Sequence, residues 1–130
     1  MIILSIICYI IAIFLPCLQF LEYSKSYPEK YNTIITWRGY HCLLFSLLGI
    51  LTWQNIAMLA NLAYFIGLFS QYKLWPYLGV TFMLISIYQL KEPFQMDLVN
   101  IKCYRLTNPM YGMYIWMLSF VILLCYRMTT

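Results

Sequence analysis

Apolar residues come in long uncharged runs, separated by short polar stretches. The first run covers residues 1–21 and the second covers residues 39–72, and neither contains Asp, Glu, Lys or Arg. Two further uncharged runs cover residues 74–90 and 110–126. A helix needs about 20 mostly apolar residues to cross the hydrocarbon core of a bilayer, which is about 30 Å thick. The pattern therefore predicts several transmembrane helices.

The run over residues 39–72 is too long for one crossing. A single helix of that length would extend about 51 Å, well beyond the hydrocarbon core. The side chains of Trp53, Gln54 and Asn55 interrupt the run and are suited to a membrane interface. We therefore predict an all-α, polytopic transmembrane bundle in one domain. Its five short helices cover about residues 2–21, 40–54, 56–72, 75–90 and 110–126, with polar loops over 22–38 and 91–108.

The alternative is four crossings, with residues 39–72 passing through the membrane once. Five crossings divide the eight cations five to three between the two sides, whereas four crossings divide them six to two. The six-to-two division of four crossings agrees better with the excess of Lys and Arg in cytoplasmic loops. Helix length, however, favours five crossings. Cys17 and Cys103 fall on opposite sides in the first arrangement and on the same side in the second. Both arrangements place the N-terminus outside and the 22–38 loop in the cytoplasm.

Composition agrees with a membrane location. Hydrophobic residues make up 64% of the chain and charged residues 9%, against about 45–50% and about 25% in soluble domains. A domain of this size has too little interior to bury that much apolar surface. The net charge of +4 lies in short segments between the runs, where it can meet anionic lipid headgroups. No basic stripe long enough to follow a nucleic acid is present, so no nucleic-acid partner is predicted.

Small and polar residues at helical spacing mark the faces on which helices pack. Close approach of backbones at small residues, and hydrogen bonds between polar side chains, drive helix association in lipid. Asn61 is the most notable polar residue, because an amide in lipid must find a hydrogen-bond partner. The predicted packing or partner contacts are Asn61, Trp53, Gly49, Gly67, Gly112, Trp116 and Ser119.

The chain lacks the residue patterns that catalysis or ion coupling would need. No Asp, Glu, Lys or Arg lies inside an apolar run, although ion-coupled transporters keep an ionisable group there. His41 is the single histidine, and the five cysteines include no CxxC pair. A metal site or a thiol relay would need such groups together. We therefore predict no enzymatic activity, no cofactor and no metal.

Several short motifs are distributed along the chain. They include Leu15-Pro16 at the end of the first run, Trp37-Arg38-Gly39-Tyr40 at the start of the second, and Gly49 within it. Trp53 followed by Ala60-Asn61, and the glycine–aromatic–tryptophan–serine pattern from Gly112 to Ser119, complete the set. Together these motifs resemble those of a group of small, functionally uncharacterised bacterial membrane proteins. The resemblance implies a multi-pass protein of the bacterial inner membrane.

Four functions remain compatible with the sequence, of which a quinone- or lipid-handling enzyme subunit ranks last. The leading prediction is a non-enzymatic protein that binds a membrane partner, which is lipid, another protein or a further copy of itself. A specific version is an immunity protein that blocks a pore-forming toxin in the membrane. The third is a small oligomeric transporter or channel, in which Asn61 and Ser46 would line the path.

Overall fold

The structure, a computed structural model, describes residues 1–24, 33–51, 56–91 and 102–129. This part of the chain is mostly helical, as predicted, and it also contains a small sheet. Five helices begin within the uncharged runs, and the last of them continues past Arg127: α1 (Ile2–Phe14), α2 (Gly39–Leu51), α3 (Ala57–Phe69), α4 (Leu74–Gln89) and α5 (Tyr111–Thr129). Three strands lie between them: β1 (Pro16–Ser24), β2 (Thr33–Arg38) and β3 (Lys102–Pro109).

The antiparallel sheet corrects two parts of the prediction. Its order is β2-β1-β3, and the backbone of Leu21 in the central strand pairs with Ile34 on one side and Arg105 on the other. The segments 22–38 and 91–108, predicted as loops, therefore contain strands. The first helix, predicted to reach Leu21, ends at Phe14. Pro16 explains this end, because the residue before a proline avoids helical backbone angles, and Leu15 is extended with φ −82° and ψ 152°.

Beyond Pro16 the chain follows the two-residue period of a strand. Leu18 and Phe20 are buried, whereas Gln19 and Leu21 are partly exposed. The Phe20 ring contacts that of Trp37 on β2, with 4.6 Å between ring centroids. The sheet thus has one face packed on the protein interior, which explains why a run that is uncharged throughout does not continue as a helix.

The sheet lies at one end of the helices, which we call the sheet end. Each strand is followed or preceded directly by a helix: α1 enters β1, β2 enters α2, and β3 enters α5. The amide of Gly39 donates to the Leu15 carbonyl at 3.1 Å, and that of Met110 donates to the Cys17 carbonyl at 2.9 Å. These bonds hold the three strand–helix junctions side by side. Cys17 and Cys103 both lie in this sheet, on β1 and β3.

Four helices run between the sheet end and the opposite end, which we call the far end. Helices α1 and α4 run toward the sheet, and α3 and α5 run away from it. The Arg127 guanidinium near the end of α5 donates to the carbonyls of Gly67 and Leu68 near the end of α3. At the sheet end, the side-chain carbonyl of Gln89 accepts from the Ile56 amide. The end of α3 therefore lies beside the end of α5 at the far end, and the start of α3 lies beside the end of α4 at the sheet end.

Helix α2 stays at the sheet end. Ser46, in the middle of α2, lies against Met58 in the first turn of α3, with 3.6 Å between Oγ and Sδ. If α2 ran the length of the bundle, Ser46 would instead lie beside the middle of α3. Residues 39–72 therefore contain two helices, as predicted, but the described geometry does not support the prediction that each crosses a membrane.

Within the described residues, only α5 is both long and apolar enough to cross a bilayer. Helices α1 and α3 are apolar but have 13 residues each. Such a helix extends about 20 Å at 1.5 Å per residue. The length criterion that led the sequence to predict five crossings is therefore not met by these helices.

Candidate functional site: a hydrogen-bonded ladder between three helices

Polar side chains meet in the interior between α1, α3 and α5. Ser5 and Ser119 are completely buried, and Asn61 is 4% exposed. Tyr9 and Tyr64 are buried beside them. Residues three or four apart share one face of a helix, which is why each helix contributes two neighbouring members. We call the two layers formed by these residues and Trp116 the ladder.

The layer nearer the sheet end centres on Asn61. The Tyr9 hydroxyl donates to Asn61 Oδ1 at 2.9 Å, and the Trp116 indole N–H donates to the same oxygen at 3.0 Å. An indole nitrogen can only donate, so the atom facing Trp116 must be the carbonyl oxygen. One amide oxygen therefore joins all three helices.

The layer nearer the far end centres on Ser5. Its hydroxyl donates to the Ser119 carbonyl at 2.7 Å, and its oxygen lies 2.7 Å from the Tyr64 hydroxyl. Since a serine hydroxyl has a single proton, Tyr64 is the donor in the second bond. The Ser119 hydroxyl donates in turn to the Trp116 carbonyl at 2.6 Å. This layer again joins α1, α3 and α5.

Aromatic contacts connect the two layers. The rings of Tyr9 and Tyr64 stack with centroids 4.8 Å apart and planes inclined by 10°. Phe120 contacts both Tyr64 and Trp116 at 4.9 Å between centroids. The ladder is thus filled with side chains and contains no carboxylate, amine or imidazole. Its chemistry is hydrogen bonding, and it fixes how the helices pack.

Three of the predicted residues meet in the ladder: Asn61, Trp116 and Ser119. The sequence did not indicate their partners Tyr9 and Tyr64, because tyrosine is also usual at membrane interfaces. The one sign in the sequence that these tyrosines are interior residues is that both lie within uncharged runs, away from either end. A phenol placed there must find a hydrogen-bond partner just as the amide must.

Two predicted glycines lie at close helix contacts outside the ladder. A Cβ on Gly112 would lie 2.8 Å from the Pro16 carbonyl oxygen, so the start of α5 approaches the start of β1 more closely than a side chain would allow. A Cβ on Gly67 would lie 3.4 Å from Pro76 at the start of α4, which is ordinary contact. Gly49 belongs to α2, but its surroundings are outside the described residues, as is Trp53.

A second polar contact lies where β1 meets α2. The thiols of Cys17 and Cys42 are neighbours in the apolar cluster beneath the sheet. The hydrogen bond to Cys17, together with burial, raises the pKa of the Cys42 thiol. The same bond lowers the pKa of Cys17, against the opposing effect of burial. Among the described residues, no three His, Cys, Asp or Glu side chains come together to hold a metal ion.

Comparisons with known proteins do not identify a relative of this chain. No protein-family model matches it, and neither a curated protein nor a solved structure is similar to it. The resemblance to small bacterial membrane proteins, which depends on short motifs, therefore stays a prediction. The ladder and the distribution of polar and apolar surface are the observations from which function must be argued.

Proposed function

We propose that this chain is an integral membrane protein with four short crossings, which acts without catalysis by binding another component of the membrane. One observation carries the membrane part of the proposal: many large apolar side chains are exposed on the outside of the helices, while several polar side chains are enclosed within the bundle. Ile3 on α1 is 69% exposed and Phe69 on α3 is 88% exposed, whereas Ser5, Ser86 and Ser119 are buried.

Apolar exposure on this scale is not what water favours. A dissolved protein gains stability by removing apolar surface from solvent, and it rarely exposes a large continuous apolar patch. In a bilayer the tails are as apolar as the side chains, and polar groups instead seek one another in the interior. The exposed Ile and Leu side chains and the enclosed ladder both follow from lipid as the solvent.

Four crossings is the topology that we propose. If α1, α3, α4 and α5 cross and α2 lies at one surface, the sheet and both segments that adjoin it share one side. The exposed cations Arg38, Lys91 and Arg105 lie at the sheet end. This is the arrangement for which the sequence gives six cations against two. The positive-inside rule then places the sheet end in the cytoplasm.

The short helices need a thinner membrane than average. Helices α1 and α3, at about 20 Å, are shorter than a hydrocarbon core of about 30 Å. A bilayer adapts to short helices by local thinning, at a fraction of a kcal/mol per Å. Only α5, with 19 residues, would cross without such an adjustment.

Binding is a better proposal than transport. The core between α3, α4 and α5 is filled by Tyr64, Met83, Phe120 and Leu123. A transport path through one chain would be lined by both Ser46 and Asn61. The two residues instead engage different partners, because Ser46 donates to the Leu43 carbonyl and the Asn61 oxygen accepts from Tyr9. A transporter would therefore need a path formed between several copies.

The topology can be tested by thiol labelling. In a chain whose native cysteines are replaced, single cysteines are introduced at Thr36 on β2, Thr107 on β3 and Gln71 at the far end, all of which are exposed. In intact cells an impermeant maleimide should label Gln71→Cys and spare both sheet variants, which should react after the cells are opened. Labelling of only one sheet variant in intact cells would contradict four crossings, because β2 and β3 both pair with β1 and must lie on the same side of the membrane.

Binding can be tested by affinity purification in a mild detergent. The proposal expects a specific protein or lipid to co-purify with the chain at a fixed ratio. A clean monomer that retains nothing, together with the absence of any phenotype on deletion, would contradict a binding role without affecting the topology.

A further inference from the structure

The second residue of β1, Cys17, is an extra residue in its strand pair. Pro16 pairs with Arg38 at the end of β2, and the next pair joins Leu18 to Trp37. Cys17 therefore stands between two successive pairs, opposite no residue of β2, and forms a β-bulge. A bulge redirects its side chain out of the regular alternation of the strand, and bulges are frequent next to active sites.

Helix α2 brings Cys42 back toward this bulge. The amide of Gly39, the first residue of α2, donates to the Leu15 carbonyl at 3.1 Å, and a Cβ on Gly39 would overlap the Ala12 carbonyl. This face of α2 therefore lies against the junction between α1 and β1. Cys42 is three residues further along and shares that face. Its Cβ leans toward the helix N-terminus, and so toward β1.

The two thiols meet in the apolar cluster beneath the sheet. Cys17 is 6% exposed, and Cys42 packs against the same cluster. The Cys42 thiol donates a hydrogen bond to the Cys17 sulfur, and both cysteines are free thiols. This bond lowers the pKa of Cys17 despite its burial, whereas the bond and burial together raise the pKa of Cys42. Cys17 is therefore the more readily formed thiolate, and Cys42 is the protonated thiol beside it.

We propose that Cys17 and Cys42 are a redox-active dithiol, which a peroxide oxidises to a disulfide between β1 and α2. The Cys17 thiolate attacks one oxygen of hydrogen peroxide and the O–O bond breaks, which gives a sulfenic acid on Cys17. The hydroxide that leaves takes up the proton that Cys17 gave up, and becomes water. The Cys42 sulfur then attacks the sulfenic sulfur, and its proton leaves with the hydroxyl as a second water. Two thiols and one peroxide thus give one disulfide and two waters.

The step needs only local movement, because β1 and α2 are already in contact. Rotation of the two side chains brings the sulfurs to the disulfide distance of about 2.05 Å. In the proposed topology the sheet end lies in the cytoplasm, where small thiols keep cysteines reduced, so the dithiol is the resting state. Two equivalents of a small thiol restore it after oxidation and themselves join as a disulfide. Such a redox site adds to the proposed binding role and does not depend on it.

Oxidation of the unmodified protein in lipid bilayers tests the pair. Purified protein is treated with hydrogen peroxide, the remaining thiols are blocked with N-ethylmaleimide, and unreduced peptides are identified by mass spectrometry. We expect a link between Cys17 and Cys42 within one chain, which dithiothreitol removes. This link should exceed that of any other cysteine pair by at least about tenfold, because neighbouring groups react at a high effective concentration.

Cys8 and Cys125 provide an internal control in the same sample. They lie on α1 and α5, which are adjacent and antiparallel, and the level at which these helices meet is given by the bond from Ser5 to the Ser119 carbonyl. Cys8 lies three residues from that level toward the sheet end, and Cys125 lies six residues from it toward the far end. At 1.5 Å per residue they are about 13 Å apart along the helices. A disulfide joins Cα atoms about 4.4–6.8 Å apart, so this pair should not link.

Two variants separate the roles of the cysteines. Cys42→Ser leaves the sulfenic acid on Cys17 without a second thiol, so dimedone, added as the oxidised protein is denatured, should label Cys17. In Cys17→Ser, dimedone should leave Cys42 unlabelled, because the protonated thiol is a poor nucleophile toward peroxide. A merely structural contact would not give this asymmetry. The experiment on the unmodified protein does not depend on whether either variant folds.

Three results would overturn the dithiol. They are oxidation of either thiol without a link between them, a link that forms only in denatured protein, and a link from either cysteine to Cys103 instead. Cys103 pairs with Tyr23, six residues along β1 from Cys17 and so about 20 Å away. Failure of the thiol-labelling topology or of partner purification overturns the proposed function and leaves the dithiol in place.

Discussion

Replacing Tyr9 by phenylalanine tests whether the ladder stabilises the helix bundle. The substitution removes one hydroxyl and keeps the ring, so the stack on Tyr64 at 4.8 Å remains. What is lost is the bond from the hydroxyl to Asn61 Oδ1. Hydrogen bonds between helices in membranes contribute about 0.6 kcal/mol on average and at most about 1.7 kcal/mol. We expect Tyr9→Phe to lower the free energy of unfolding by an amount in this range.

Asn61→Leu should have a larger effect, because both bonds to Oδ1 disappear. Two donors, the buried Tyr9 hydroxyl and the partly buried Trp116 indole, then lack an acceptor. Twice the value of one bond gives a loss of about 1–3 kcal/mol. In the double variant the effects should not add, since Tyr9→Phe removes a bond that Asn61→Leu has already broken. The coupling should be about 0.6 kcal/mol or more.

The assay is reversible unfolding of the purified protein in lipid bicelles, followed by far-UV circular dichroism. Tyr114→Phe provides a matched control, because Tyr114 lies on α5, is 56% exposed and makes no hydrogen bond with the described residues. Its effect should stay within about 0.5 kcal/mol. If Tyr9→Phe were no more destabilising than this control and the coupling were absent, the ladder would not stabilise the bundle.

Three further predictions concern other parts of the fold. Gly112→Ala should destabilise the protein, because the new Cβ would overlap the backbone of β1. The new Cβ of Gly79→Ala would make only ordinary contacts, so this variant should be neutral or stabilising by about 0.5–1 kcal/mol. Comparing the melting temperatures of the two variants checks this prediction. Arg127→Gln removes charged hydrogen bonds to the last turn of α3. It should lower the free energy of unfolding by about 1.5–3 kcal/mol, and by less to the extent that solvent screens the charge. Arg127→Lys, which keeps the charge, should recover part of the lost stability. The Cys42 thiol should react slowly with maleimide even at pH 9, because its raised pKa keeps it protonated; a rate equal to that of the unfolded chain would contradict the burial at this contact.

The helices could be predicted from the sequence because uncharged runs leave few other choices for the backbone in an apolar environment. All five helices of the described residues begin inside these runs, and only α5 extends past the end of its run. The sheet could not be predicted in the same way. Strand β1 shares its apolar run with α1, and only the break at Pro16 and the alternation after it distinguish the two. Whether such an alternation forms a strand depends on β2 and β3, which lie elsewhere in the sequence and supply its hydrogen bonds.

The candidate site likewise has one feature that the sequence predicts and one that it does not. An amide at Asn61, in the middle of an apolar run, could be predicted to need a partner, because a buried polar group is costly without a hydrogen bond. The identity of that partner could not, since Tyr9 lies 52 residues away and Trp116 lies 55 residues away. Tyrosines are frequent in this chain, and periodicity within one helix cannot select which of them faces Asn61.

The sequence by itself determined that the chain has apolar helices with small and polar residues on one face, because those properties depend on composition and local spacing. The tertiary structure alone decided that α2 stays at the sheet end, that the strands pair, and that one amide oxygen joins three helices. These features depend on contacts between distant residues, whose geometry is fixed only when all the elements pack together.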